Sequence, residues 1–258
     1  MYISEEAYNT FLKRVSRHYP KESTKDVVVS DWTVAGTIGK GIGIPAIIKA
    51  ALKSNNLYNI AFASSLLAFI PTRPMLVSFW TNDDKTIQNA EIEAPAKYVA
   101  GFLITESNKE LGCFNCFCND AKIALIELRD YLNNAEHFNK EYATFGVAQK
   151  WLNIAIKHFY TLCRMCENKE INDVCNSRLF ECAGFPIDNL IKVPIKKDLG
   201  ISYTKYFPKA EDGKNVSWTH IDDVDQIIAY EKAVLEKLKE LNMNCLFEFE
   251  YTNWRKDN

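Results

Sequence analysis

The stretch from Ala148 to Met165 constrains this chain more than any other part of it. It contains no Gly and no Pro, and its apolar residues include Trp151, Leu152, Ile154, Ala155, Ile156, Phe159 and Tyr160. Uninterrupted by breakers, the stretch is the strongest helix in the sequence. Its apolar residues need other elements to pack against.

The remaining chain offers those elements as helices. Residues 5–18 place Ala7, Phe11, Leu12 and Val15 on one face behind Ser4 as N-cap, and Pro20 ends the run. Pro45 to Lys53 opens on a proline, whose missing N–H is harmless in a first turn. Ile60 to Ile70 reads as a buried helix closed by Pro71. Further helices are expected over Pro95–Leu103, over Asp120–Leu132 with Asn119 or Asp120 as cap, and over Asp222–Leu241.

Strand signals are few. Asp26 to Thr37, around Trp32, reads as a short strand or an extended entry segment, and Met75 to Trp80 is a short apolar run. Glu167 to Phe180 is polar and indistinct, Asn189 to Ile195 looks buried, and Lys196 to Asn215 is loop-rich. The tail Phe247-Glu248-Phe249-Glu250-Tyr251 alternates. The expected fold class is mainly α, with little or no β-sheet. No break in composition forces a boundary, so residues 1–258 read as one globular unit, with room for two helical lobes and a cleft.

Composition narrows the function classes. Hydrophobic residues at 47% and charged residues at 25% exclude disorder as the main state. A net charge of −2 argues against a blanket basic surface but leaves room for a local basic patch. The acidic start, with Glu5 and Glu6, lacks the positive charge of a secretory signal, and Ile60–Ile70 is too short to span a bilayer. A cytoplasmic protein without a membrane partner is expected. Its 8 cysteines then read as free thiols or metal ligands rather than disulfides.

One constellation carries chemistry. Phe145-Gly146-Val147-Ala148-Gln149-Lys150 runs straight into the long apolar helix, so a glycine turn is expected to place a lysine in a first helical turn. The partial positive charge of a helix N-terminus disfavours the ammonium form, which suits a nucleophilic amine. The exposed N–H groups of such an end also suit a phosphate. Downstream, Gly184-Phe185-Pro186-Ile187-Asp188-Asn189 sets one carboxylate among apolar residues, either as an N-cap or as a partly buried functional acid.

At these residues the chain resembles the helix-hairpin-helix DNA glycosylases. Gly146-Val147-Ala148-Gln149-Lys150 is similar to their Gly-Val-Gly-x-Lys turn, and Pro186-Ile187-Asp188 to the segment that carries their aspartate. The pairing of Lys150 with Lys157, seven positions on, resembles the archaeal 8-oxoguanine glycosylase branch. The likeness spans residues 145–191. It implies a two-lobed helical fold that flips a modified base out of double-stranded DNA. It implies Lys150 as the Schiff-base nucleophile and Asp188 as its acid–base partner, with neither cofactor nor metal. Gly146, Gln149 and Lys157 would then face the DNA, and Trp218 or Trp254 would stack on the base.

Other readings stay beside this one. Gly36, Gly39, Gly41 and Gly43 lack both Walker and dinucleotide spacing, and a flexible connector is the plainer role. Cys113, Cys116 and Cys118 with Cys163 and Cys166 offer two C-x₂-C pairs for a zinc ion, but the second pair falls on the long helix, and buried thiols are preferred. His18, His137, His158 and His220 share no metal-site spacing. Trp218 and Trp254 could equally be core or rim residues. Lys150, Lys157, Arg164, Lys192, Lys196 and Lys197 form the one basic set available for DNA. A non-catalytic helical binding or regulatory protein, with a degenerate hairpin, is the alternative.

Overall fold

The computed structural model of the chain describes residues 3–14, 44–69, 85–110, 114–136, 138–209, 213–243 and 245–253. Helix α1, Glu5–Arg14, starts where the Ser4 hydroxyl accepts the Ala7 N–H at 3.2 Å. Helix α2 is Ile44–Ser54 and α3 is Leu57–Phe69. In α3 every residue from Ile60 to Phe69 is buried, and the Ser64 hydroxyl is satisfied by the Ile60 carbonyl at 2.7 Å.

Helix α4, Lys85–Ser107, is longer than the sequence suggests, and Pro95 lies inside it rather than at its start. Helix α5, Phe114–Asn134, likewise starts early. Asn119 and Asp120 are therefore interior residues and not caps, and Asp120 instead pairs with Lys109 at 2.8 Å. Helix α6, Phe145–Met165, takes in the whole glycine segment. The indistinct region after it folds into the short helices α7, Lys169–Asp173, and α8, Arg178–Cys182. Helix α9, Asn189–Leu199, claims residues expected in a loop and ends on Gly200, whose φ of 70° suits a residue without Cβ. Helices α10, Val224–Glu240, and α11, Leu246–Asn253, complete the chain.

The fold is mainly helical, and no strand occurs among the described residues. The strand candidate 26–37 and the apolar run 75–80 lie outside those residues, as does the glycine-rich segment 36–43. The alternating tail is helix α11, which buries Leu246, Phe247, Phe249, Glu250 and Tyr251. Tertiary burial decides this conformation. Tyr251 and Phe247 complete an aromatic cluster with Tyr160 and Phe180, at ring separations of 4.8–5.9 Å.

Helix α6 is the axis of the core. It packs most extensively on α3 and also meets α2, α4, α5 and α7. From Phe145 to Cys163 only Lys150 and His158 escape full burial. The Trp151 indole donates to the Ser65 carbonyl at 3.0 Å and lies 5.0 Å from the Phe69 ring, so α3 and α6 are pinned in one register. Cys116 and Cys118 lie on α5 and Cys163 and Cys166 at the end of α6, and Cys113 is outside the described residues. No described helix is long and apolar enough to cross a membrane.

Helix α10 buries one carboxylate that the apolar pattern hides. Glu231 accepts the Phe185 N–H at 3.3 Å, and burial pushes its pKa up to about 8. The folded state therefore holds a proton that the unfolded chain has released above the ordinary value of 4.5. This contribution to stability is complete at low pH and is lost as pH rises through about 8. Its steepest rate is about 1.4 kcal/mol per pH unit. Thermal unfolding between pH 5 and 8 should show a downward trend that Glu231→Gln flattens. Parallel curves for the two proteins would contradict the assignment.

Candidate functional site

The start of α6 builds the site. Thr144 is its N-cap: the hydroxyl accepts the Val147 N–H at 3.3 Å and donates to the Thr219 carbonyl at 2.8 Å. Gly146 is the second residue of the helix and is buried, so the expected hairpin turn is not there. Its N–H donates to the Ile221 carbonyl at 2.9 Å and is not available to a DNA phosphate. The glycine serves a close approach instead. A Cβ at this position would lie 1.7 Å from the Trp218 carbonyl oxygen.

That approach docks the 3-10 turn Trp218–His220 on the helix and brings the Trp218 ring to Lys150, whose amine lies 4.0 Å from the ring centroid. The obstructing atom is backbone, so Gly146→Ala must move the turn or the helix. We expect a loss of about 3 kcal/mol on overpacking grounds, read by chemical denaturation. A change below about 0.5 kcal/mol would show that the turn is loosely held.

Gln149 is buried and reads the backbone of Ile187 in both directions. Its Nε2 donates to the Ile187 carbonyl and its Oε1 accepts the Ile187 N–H, each at 3.2 Å. Asn153 supports it with a further donor at 3.2 Å. Gln149 is thus committed to holding the chain just before Asp188, and the expected DNA contact is not open to it.

Asp188 then divides its two oxygens. Oδ1 caps α9 by accepting the Leu190 and Ile191 N–H groups at 2.8 and 3.1 Å. Oδ2 faces the Lys150 amine at 3.9 Å, with both side chains about nine-tenths buried. The geometry of an N-cap and that of an acid facing an amine coexist in one residue. Lys150 and Asp188 face each other in one site.

Burial lowers the Lys150 pKa, the positive charge of Lys157 adds to the effect, and Asp188 opposes it. The direction matches expectation but the cause differs. Lys150 stands in the second turn, where the field of a helix end has faded, and desolvation takes over.

Lys157 corrects another expectation. It is buried and bonded to Glu250 Oε1 at 2.6 Å, so its ammonium is not presented to DNA. Glu250 is wholly buried, and its Oε2 has no hydrogen-bond partner among the described residues. Burial raises the Glu250 pKa against the pull of Lys157. Sequence reasoning passes over Glu250 because alternation with Glu248 suggests a solvent face. A lysine inside the long apolar helix was the available signal that a buried acid must exist.

Beyond Asp188, Lys192 lies on the same helix with its amine 3.9 Å from the Tyr203 ring centroid and 3.2 Å from Asn189 Oδ1. Burial brings its pKa down to about 8, against the field of Asp188. Lys196 and Lys197 follow in the last turn. Arg164 is at the far end of α6, paired with Glu5 and stacked 3.9 Å over the Tyr8 ring. Of the basic set, only Lys150, Lys192, Lys196 and Lys197 therefore belong to this end of the molecule. Trp254 lies outside the described residues. No group of three or more His, Cys, Asp or Glu among the described residues is arranged to hold a metal ion.

Comparison of the chain with protein-family models, curated proteins and solved structures gives no match.

Proposed function

We propose that this protein is a DNA glycosylase with AP lyase-type chemistry, acting through a Schiff base on Lys150. The observation that carries the reading is the Lys150 amine, desolvated and facing Asp188 Oδ2 at 3.9 Å. A lysine with a depressed pKa beside a carboxylate is what amine catalysis needs. Loose contacts of this length are common before substrate binds.

In this reading a modified base leaves the stack, and the neutral Lys150 amine attacks the sugar C1′ as the base departs with its electron pair. Asp188 Oδ2 stabilises the cationic sugar and accepts the proton that the amine gives up. The C1′–O4′ bond then breaks, O4′ taking the proton from Asp188, and the resulting iminium acidifies C2′, whose proton is lost as the 3′ phosphate departs. Gln149 acts as a positioning residue by fixing Ile187, and Gly146 by admitting the turn that carries Trp218.

The test is borohydride trapping on duplexes carrying different modified bases. A covalent protein–DNA adduct that depends on borohydride supports the reading. Absence of any adduct, on modified bases and on a plain abasic site alike, would sink it. The buried Gly146 favours a second reading, a helical binding protein without the hairpin, and that reading gains from the same negative result.

A further inference from the structure

Next to the Lys150–Asp188 site lies an open groove of about 860 Å³ between α9 and the segments 202–204 and 215–217. Lys192, Lys196 and Lys197 line it from the helix, with the hydroxyls of Ser202, Thr204 and Ser217 opposite. Its lining holds no carboxylate. Among the described residues no carboxylate lies within ion-pair distance of these three lysines. Lys97, Lys122 and Lys237, elsewhere on the surface, each hold one at 2.5–2.6 Å.

A helix dipole accounts for Lys196 and Lys197 in the last turn of α9. It does not account for Lys192, which stands mid-helix, partly desolvated over the Tyr203 ring. Its amine meets the neutral Asn189 Oδ1 at 3.2 Å and, among the described residues, no carboxylate in contact, which leaves it able to take an anion from outside. Lys192 and Lys196, one turn apart, are separated by about 6 Å along the helix axis. That spacing is comparable to the distance between neighbouring phosphates on one strand. The groove is open to solvent rather than enclosed, and its lining includes Asn189, adjacent to Asp188.

We propose that this groove binds the phosphodiester backbone of DNA, with Lys192, Lys196 and Lys197 as its phosphate contacts. The strand would be the one whose sugar reaches Lys150, a placement that rests on the glycosylase reading. Backbone contacts of this kind fix register without reading sequence. They also replace the N–H donors that the buried Gly146 does not offer.

The experiment measures binding of the full chain to a duplex with an unreactive abasic-site analogue, across a range of salt concentrations. Lys192→Gln, Lys196→Gln and Lys197→Gln together should make the log–log salt slope shallower by about 2.7, with affinity falling at least about tenfold near 0.1 M salt. Lys97→Gln, Lys122→Gln and Lys237→Gln together remove the same charge elsewhere and should leave the slope unchanged. Far-ultraviolet circular dichroism checks that both triple variants remain folded.

An equal loss in the control triple would overturn the groove, since bulk charge would then explain the binding. A slope unmoved by the groove substitutions, or a wild type that binds no duplex, overturns it as well. So does a mononucleotide that displaces the duplex at the concentration of phosphate the duplex supplies, because the site would then serve small phosphates. Salt-sensitive groove binding without any borohydride adduct would leave the groove standing and remove the glycosylase reading. An adduct with an unmoved slope would do the reverse.

Discussion

Lys150→Gln should abolish borohydride trapping while the variant stays folded. Gln keeps a polar stem of nearly the same reach but has no nucleophilic amine. The substitution removes a cation lying 4.0 Å from the Trp218 ring centroid, worth about 2 kcal/mol at a largely desolvated position. Unfolding therefore does not explain a lost adduct, and a thermal melt verifies this. Trapping by the wild type should rise with pH and level off below the ordinary lysine value of 10.5, because burial lowers the pKa of this amine. Asp188→Asn separates the two oxygens of that side chain. Asn still accepts the Leu190 and Ile191 N–H groups, so stability holds. It no longer places a negative charge opposite the amine, so trapping slows strongly. Asp188→Ala loses the cap too, at about 1 kcal/mol. Lys122→Gln, on α5 and paired with Asp225 away from the site, is the control and should preserve the adduct. Trapping that persists in Lys150→Gln would show that another lysine is the nucleophile.

The helical architecture is legible because its drivers are local. Ser4 caps α1 through an interaction within one turn, and the apolar run of α3 declares its burial outright. Helix starts are less legible where a cap is unrecognised. The α6 start at Thr144 depends on a hydroxyl that also bonds Thr219, far along the chain, and no local pattern announces that bond. Gly146 shows the same limit from the other side. A glycine ahead of a helix suggests a turn, whereas here its bareness admits the Trp218 carbonyl. Lys150 and Asp188 are paired in the sequence through the motif resemblance over residues 145–191. That resemblance does not give the roles of Gln149, Lys157 and Glu250, which are fixed by partners 38 or more positions away.

Breaking the Lys157–Glu250 pair should be the most costly single change on the stability side. Both side chains are at least 95% buried, and their contact of 2.6 Å joins α6 to α11. The same junction carries the Tyr251 hydroxyl, which donates to the Lys157 carbonyl at 3.0 Å. Glu250→Ala leaves the ammonium in an apolar interior without this carboxylate, and Lys157→Ala leaves the carboxylate without its ammonium. Removing one member of a buried pair costs about 3–5 kcal/mol, roughly 10 °C in Tm for a chain of this size. Replacing both, as Lys157→Met with Glu250→Leu, removes the stranded charge and should recover most of the loss. If the double variant is as unstable as the worse single one, the pair matters for hydrogen bonding and not for charge compensation. The pair also reaches the site. The cation of Lys157 helps to hold the Lys150 pKa down, and Glu250 lies within the field of Asp188. In the double variant the pH profile of trapping should therefore move upward, with the amine still in place. An unchanged profile would mean that burial alone sets the Lys150 amine and that the pair beneath it is purely structural.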